Sequence, residues 1–211
     1  MNMRYYILFL RVLLPCLILV LLSSCNDTYI PKPKSYPRVI FPEHKYQQFK
    51  SADCPFQFEY PTYSTIVQNT TFFNEKIDNP CWLNMEFRDF NCKLHLSYNA
   101  ITKSDGLNKL IEDAYKMTNK HVVKAEYIED QEVSTAKGIH GQLSNVGGNA
   151  ASAIQFFLTD TTTNFIRGSL YFSNTPNADS LAPIIDFFRT DIMKIIETFE
   201  WTNHKTTVAT K

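Results

Sequence analysis

Two hydrophobic rhythms divide this chain. Over Trp82–Phe87 and residues 93–98 apolar and polar positions alternate strictly, with Leu83, Met85, Phe87 and Leu94, Leu96, Tyr98 as the inward sets. That spacing predicts two half-buried strands, and the intervening Arg-Asp-Phe-Asn suits a hairpin turn. Residues 56–60 and 63–68, parted by Pro61, read as two shorter strands. A second strand group is predicted at 122–129, 132–143, 151–160 and 164–172, with Val146-Gly147-Gly148-Asn149 as one tight connection and Thr161–Thr163 as another. The other rhythm is helical. Residues 104–121 place Leu107, Leu110, Ile111 and Ala114 on one face, with Ser104 or Asp105 as the cap, and that stripe is expected to cover a sheet. Residues 177–199 carry the strongest helical pattern, Leu181, Ile184, Ile185, Phe188, Ile192, Ile195, Ile196 and Phe199. With Ser180 as cap, Pro183 falls in the first turn, where its missing N–H costs nothing.

Strands, a helix, an antiparallel meander and a closing helix predict an α+β fold, an antiparallel sheet flanked by helices. The element order is similar to the Mog1/PsbP-like α/β/α sandwich, a likeness of fold that by itself says nothing of function.

The first 24 residues follow neither rhythm. Arg4 and Arg11 precede an unbroken apolar run, Val12 to Leu22, which is the length of a secretory signal and shorter than the ~20 residues of a membrane span. The run ends in Leu22-Ser23-Ser24-Cys25, a bacterial lipobox, so residues 1–24 are read as a lipoprotein signal peptide and Cys25 as the lipidated first residue. The alternative is an uncleaved anchor with an incidental cysteine. Several acyl chains at about 0.8 kcal/mol per buried methylene hold a protein stably at a membrane. Residues 25–49 then contain four of the ten prolines, at 31, 33, 37 and 42, and read as an extended tether. Its aromatic and branched residues leave two readings, an edge segment of its own domain or a peptide that docks on a partner's sheet edge. Residues 50–201 form one expected domain and 202–211 a polar tail.

Charge and cysteine content narrow the function. The chain has 21 Lys+Arg and 21 Asp+Glu, and two arginines leave with the signal, so the mature part carries a net −2. That balance argues against a nucleic-acid partner. Cys54, Cys81 and Cys92 remain in an oxidising space; Cys54 and Cys81 each sit at the mouth of a strand and are the preferred disulfide, three reduced thiols being the alternative. No glycine-rich phosphate loop, His-Glu-x-x-His, Gly-x-Ser-x-Gly or zinc spacing occurs, so no catalytic, metal or cofactor residues are assigned. His95 is expected on the outer, solvent-facing side of its strand. Gly138-Ile139-His140-Gly141 reads as a bulge or kink before it reads as a ligand loop. Glu126, Glu129, Asp130 and Glu132 read as a solvated hairpin rim, and Arg167, interrupting an apolar strand, is expected to meet a carboxylate from a helix, a binding-pocket role being the second choice. A hydrolase would have to assemble from His95, His140 and the acidic rim.

A resemblance adds what these features leave open. YIPKPKSYPR after Cys25, then CPFQFEYP (54–61), CWLNMEF (81–87), LHLSY (94–98), GNAASAIQFFLTD (148–160), FIRGSLYF (165–172), PNADSL (176–181) and TFEW (198–201) together resemble the gliding motility lipoprotein GldD family of the Bacteroidota, in order along the mature chain. The family pattern commonly has a proline where Ile154 stands and a histidine where Asn164 stands, so neither is carried over as a site residue. The resemblance implies a membrane-anchored periplasmic lipoprotein required for gliding motility and type IX secretion. It implies a non-catalytic component that supports the assembly or stability of other gliding and secretion lipoproteins, with no cofactor. Asn26-Asp27-Thr28 lacks an acidic run after the cysteine, which favours the periplasmic face of the outer membrane. A small-ligand-binding envelope lipoprotein is the alternative, and it requires a pocket with a few convergent polar groups.

Overall fold

Alternating strands build the body of the molecule, a seven-stranded antiparallel sheet. The computed structural model describes residues 38–72, 75–76, 78–103 and 105–202, so the expected signal peptide, Cys25, most of the tether and residues 203–211 lie outside the described residues. The strands are β1 (Tyr46–Lys50), β2 (Phe56–Pro61), β3 (Thr65–Gln68), β4 (Thr71–Phe72), β5 (Glu75–Lys76), β6 (Trp82–Phe87), β7 (Cys92–Ala100), β8 (Ala125–Ser134), β9 (His140–Gly148), β10 (Ser152–Thr159), β11 (Asn164–Phe172) and β12 (Glu200–Trp201). Two helices, α1 (Leu107–Asn119) and α2 (Ala178–Thr198), complete the described elements with a 3-10 turn at Arg88–Phe90. The large sheet runs β3-β6-β7-β11-β10-β9-β8, a small one runs β1-β2-β12, and β4 and β5 pair as a ribbon. This is the expected α+β class.

Every inward residue of the β6–β7 hairpin is buried, as its alternation requires. Those side chains meet Ile154, Phe156 and Leu158 of β10, Ile166 and Leu170 of β11, and the apolar stripe of α2, Phe188, Ile192, Ile195 and Ile196. Phe56, Phe58 and Phe199 close the end of this core as stacked rings, with Phe58 and Phe199 only 7° from parallel. Cys54 and Cys81 are paired as a disulfide, with Cα atoms 5.4 Å apart, where the small sheet meets the large one. Cys92 is a free, buried cysteine at the start of β7.

Several boundaries depart from expectation for identifiable reasons. The compact unit begins at Val39 and not at residue 50, because β1 pairs with β2 from Tyr46↔Pro61 to Lys50↔Gln57. This part of the expected tether is therefore a strand of its own domain. Residues 63–68 do not continue β2 but join the other sheet, through Thr65↔Glu86 to Gln68↔Leu83. The β8–β9 turn was expected at Asp130–Gln131; instead β8 runs on to Ser134 and the chain reverses over 135–139, where Gly138 takes a φ of 72°. Of the other glycine in that stretch, Gly141, a Cβ would run into the carbonyl of Phe157 on β10. The acidic residues lie on β8, an exposed sheet edge, where charge discourages pairing with another strand. Asn177, not Ser180, caps α2, its side chain accepting from the Ser180 N–H at 3.1 Å. Pro183 then sits beyond the first turn and breaks one intrahelical hydrogen bond, on an exposed face where water replaces it.

Candidate functional site

The outer face of the large sheet is polar at its centre, and α1 stands over it without sealing it. Only Ala114 and Thr118 of α1 are buried; Leu107, Leu110 and Ile111, expected to cover the sheet, are half-exposed. Between helix and sheet lies a cleft of about 940 Å³. Its floor comes from the outward positions of three neighbouring strands: Trp82 on β6, His95, Ser97 and Asn99 on β7, and Phe165, Arg167 and Tyr171 on β11. Register places Trp82, Ser97 and Arg167 in one row across the sheet. Leu110, Ala114 and Met117 form the roof, and Lys120 and His121 close one end.

Arg167 sits in the middle of this floor. Its Nη2 donates to the Gln155 Oε1, which also accepts from the Thr118 hydroxyl at 3.2 Å. The expected carboxylate is not there: among the described residues no acidic side chain lies within ion-pair distance of Arg167. The acids on and just before α1 pair with that element's own lysines, Asp105 with Lys109 at 2.6 Å and Glu112 with Lys116 at 2.8 Å. Burial lowers the pKa of the guanidinium, while the neighbouring Tyr171 hydroxyl acts the other way.

The two histidines respond to that charge. His95, expected in solvent, does lie on the outer face, but the cleft encloses it. Its Nδ1 is 2.6 Å from the Asn84 Oδ1, so the ring proton sits on Nδ1, and Tyr171 meets the ring edge to face at 5.5 Å. Burial, then Lys93 and Arg167, hold His95 below its ordinary pKa; burial, then Arg167, do the same for His121. Beneath them the Ser169 hydroxyl and the Gln155 amide nitrogen are buried without hydrogen-bond partners.

A second constellation lies on the opposite side of the sheet. Asp191 of α2 is 1% exposed, yet three groups from outside the helix converge on its carboxylate. The Tyr46 hydroxyl donates at 3.0 Å, the Tyr63 hydroxyl donates to the other oxygen, and His44 Nδ1 lies 2.7 Å away. Phe41 stacks on Phe187 with centroids 4.6 Å apart, and the His44 ring lies 4.4 Å from Phe187. The segment leading into β1 is thus latched to α2. Asp191 was missed in the sequence although a signal exists: it stands on the apolar stripe of α2, three residues after Phe188 and four before Ile195.

The hydrolase constellation is not assembled. His95 on β7 and His140 on β9 are separated by β11 and β10, three strand spacings or roughly 14 Å, and the acidic rim lies on β8 beyond them. Among the described residues no group of three or more His, Cys, Asp or Glu is placed to hold a metal, and no helix is long and apolar enough to cross a membrane.

The solution structure of cyanobacterial PsbP (CyanoP) from Synechocystis sp. PCC 6803 is similar at a TM-score of 0.43 and 14% identity, over 85% of this chain and 98% of that one. Among curated protein sequences none matches. The sequence profile of the gliding motility lipoprotein GldD family matches residues 26–201, from the residue after Cys25 to the last residue of β12, and the chain belongs to that family.

Proposed function

We propose that this chain is anchored by an acylated Cys25 at the periplasmic face of the outer membrane and is required for gliding motility and type IX secretion. It acts without catalysis, supporting the assembly or stability of other lipoproteins and envelope proteins of that machinery. The observation that carries this reading is the family match over residues 26–201. One structural feature supports it: the described body is one compact unit starting at Val39, so only a short proline-bearing sequence, 26–38, separates Cys25 from it.

Affinity capture from detergent-solubilised envelopes tests it, comparing the native chain with Cys25→Ala and with a form whose residues 29–38 are replaced by Gly/Ser. Gliding or secretion components that co-purify with the native chain and are lost on replacement make the tether the docking element. Their absence, under conditions that retain other envelope complexes, removes the assembly role. A second reading, a small-ligand-binding envelope lipoprotein, is favoured by one observation, the cleft over Arg167.

A further inference from the structure

We propose that the cleft between α1 and the outer sheet face binds an amphipathic monocarboxylate, its head on Arg167 and its apolar body along Trp82, Phe165, Leu110 and Met117. The inference rests on the ligand-binding reading and is independent of the assembly role.

The argument begins with an imbalance of charge. A guanidinium on the face of a sheet, largely taken out of water, ordinarily requires a paired anion. Arg167 has instead neutral neighbours, Gln155 and Tyr171, which take only part of its five-donor fork. The carboxylates that line the same cleft are engaged elsewhere, Asp105 with Lys109 at 2.6 Å and Asp113 with Lys116 at 3.9 Å. A charge held this way is stabilised by a ligand that brings the missing anion.

The number of charges sets the valence. His95 and His121 flank the floor as neutral rings, since the group that would gain from their protonation is absent and Arg167 opposes it. One uncompensated cation at the floor matches one negative charge. A planar carboxylate fits the guanidinium fork in bidentate fashion, and the Ser97 hydroxyl, directly across the β7–β11 ladder from Arg167, adds a further donor on the same floor. Lys120, the other cation of the lining without an ion pair among the described residues, stands exposed at the end of the cleft and not on its floor, so a phosphate monoester dianion would find only one cation beneath it.

The walls set the rest of the ligand. Trp82 and Phe165 give flat apolar area at the floor, while Leu110 and Met117 sit on the half-exposed side of α1. Met117 is 37% exposed beside the cleft mouth, and its unbranched thioether adapts to the shape of a guest. A volume of about 940 Å³ lies within the ~300–1,000 Å³ of small-molecule pockets.

Isothermal titration of residues 26–211, which retain the whole unit from Val39, with octanoate, octanamide and acetate tests the proposal. Amide shift changes at Ser97, Leu110 and Arg167 locate the site. Octanoate is expected to bind most tightly, with octanamide and acetate each weaker by roughly tenfold or more, the scale of a lost hydrogen bond to a charged group. Arg167→Gln should bring octanoate down to the level of octanamide while leaving octanamide binding in place. Leu110→Trp, which fills the cleft without touching the arginine, should weaken both. Equal binding of octanoate and octanamide to the native chain overturns the carboxylate assignment and leaves the ligand-binding reading standing. Octanoate affinity unchanged by Leu110→Trp, or shifts confined to other strands, places the site elsewhere and overturns the proposal. No heat and no shift changes with any probe at millimolar concentration overturn the proposal together with the reading on which it rests.

Discussion

Replacement of Asp191 isolates what the latch contributes. Its carboxylate, 1% exposed, accepts hydrogen bonds from Tyr46 and Tyr63 and faces His44 Nδ1. Both phenols remain donors across the ordinary pH range: burial, reinforced by the hydrogen bond to Asp191 and its charge, raises Tyr46 to about 12 and Tyr63 further. A hydrogen bond to a charged group contributes about 1.5–3 kcal/mol, and removing one side of a buried charged network costs about 3–5 kcal/mol because the remaining groups are left desolvated. The three contacts share one carboxylate and do not add. For Asp191→Ala we therefore expect a loss of about 4 kcal/mol, which for a chain of this size corresponds to a fall in Tm of roughly 8–16 °C. Asp191→Asn keeps the volume and one acceptor but turns an amide donor toward a phenol, and should lose about 2 kcal/mol. Urea denaturation measures both. Trypsin reports the local event, since Lys45 lies between His44 and Tyr46 and cleavage after it should accelerate in Asp191→Ala under native conditions. A loss below about 1 kcal/mol with unchanged cleavage would refute the account, because the carboxylate would then be no more than a tolerated burial.

Three further outcomes are expected. Separated by 27 positions in sequence, Cys54 and Cys81 should contribute about 3.5 kcal/mol by chain entropy, read from urea denaturation of the native chain and of Cys54→Ala/Cys81→Ala; mass mapping should find Cys92 as the unpaired thiol. Burial pushes the Cys92 thiol up to about 12, so it should resist alkylation until the chain unfolds. His95 and His121 lie below their ordinary pKa in the folded chain, so the unfolded chain takes up protons first as pH falls. Their stabilisation is whole above the unfolded value of about 6.5 and is lost as pH drops below it toward the folded values; the fall in Tm between pH 7.5 and 5 should be smaller in His95→Gln/His121→Gln. Thr161 adopts a φ of 67° in the β10–β11 turn, a strained setting for a β-branched residue, so Thr161→Asn should raise stability by roughly 0.5–1 kcal/mol in the same denaturation assay.

The parts of this molecule that were legible from sequence are those whose signal is local and repeated. The inward residues of β6 and β7 are buried in the order their alternation set out, and α2 runs almost where its apolar stripe placed it. What failed depends on distance. The stripe on α1 identifies the face turned to the sheet, but nothing in residues 104–121 states that the helix will touch the sheet only through Ala114 and Thr118 and leave a cleft beside them. Arg167 stood out as a charge in an apolar strand; its lack of a carboxylate became visible only once β6, β7 and α1 were assembled around it. Asp191 was hidden in the opposite way, because its partners lie 128 to 147 residues upstream, two of them, His44 and Tyr46, in a segment that composition assigned to the tether. The β8–β9 turn was misplaced because acidic residues at 129–132 imitate a turn on an edge strand, while the positive-φ glycine that makes the reversal lies six residues further on.

The latch also fixes the sequence in which a pulled chain would give way. If the proposed anchor at Cys25 holds this chain, drag on the body would enter through its amino-terminal segment and reach three structures in turn. Phe41, wedged against Phe187, is met first, then His44 and Tyr46 on Asp191, and then the hydrogen-bond ladder of β1 on β2. Ring stack and carboxylate therefore stand ahead of most of the β1 ladder on that path. Tyr46 belongs both to the carboxylate and to the first pair of the β1–β2 ladder, so the two share that load, and β2, flanked by β1 and β12, ties them to the carboxyl-terminal end of the fold.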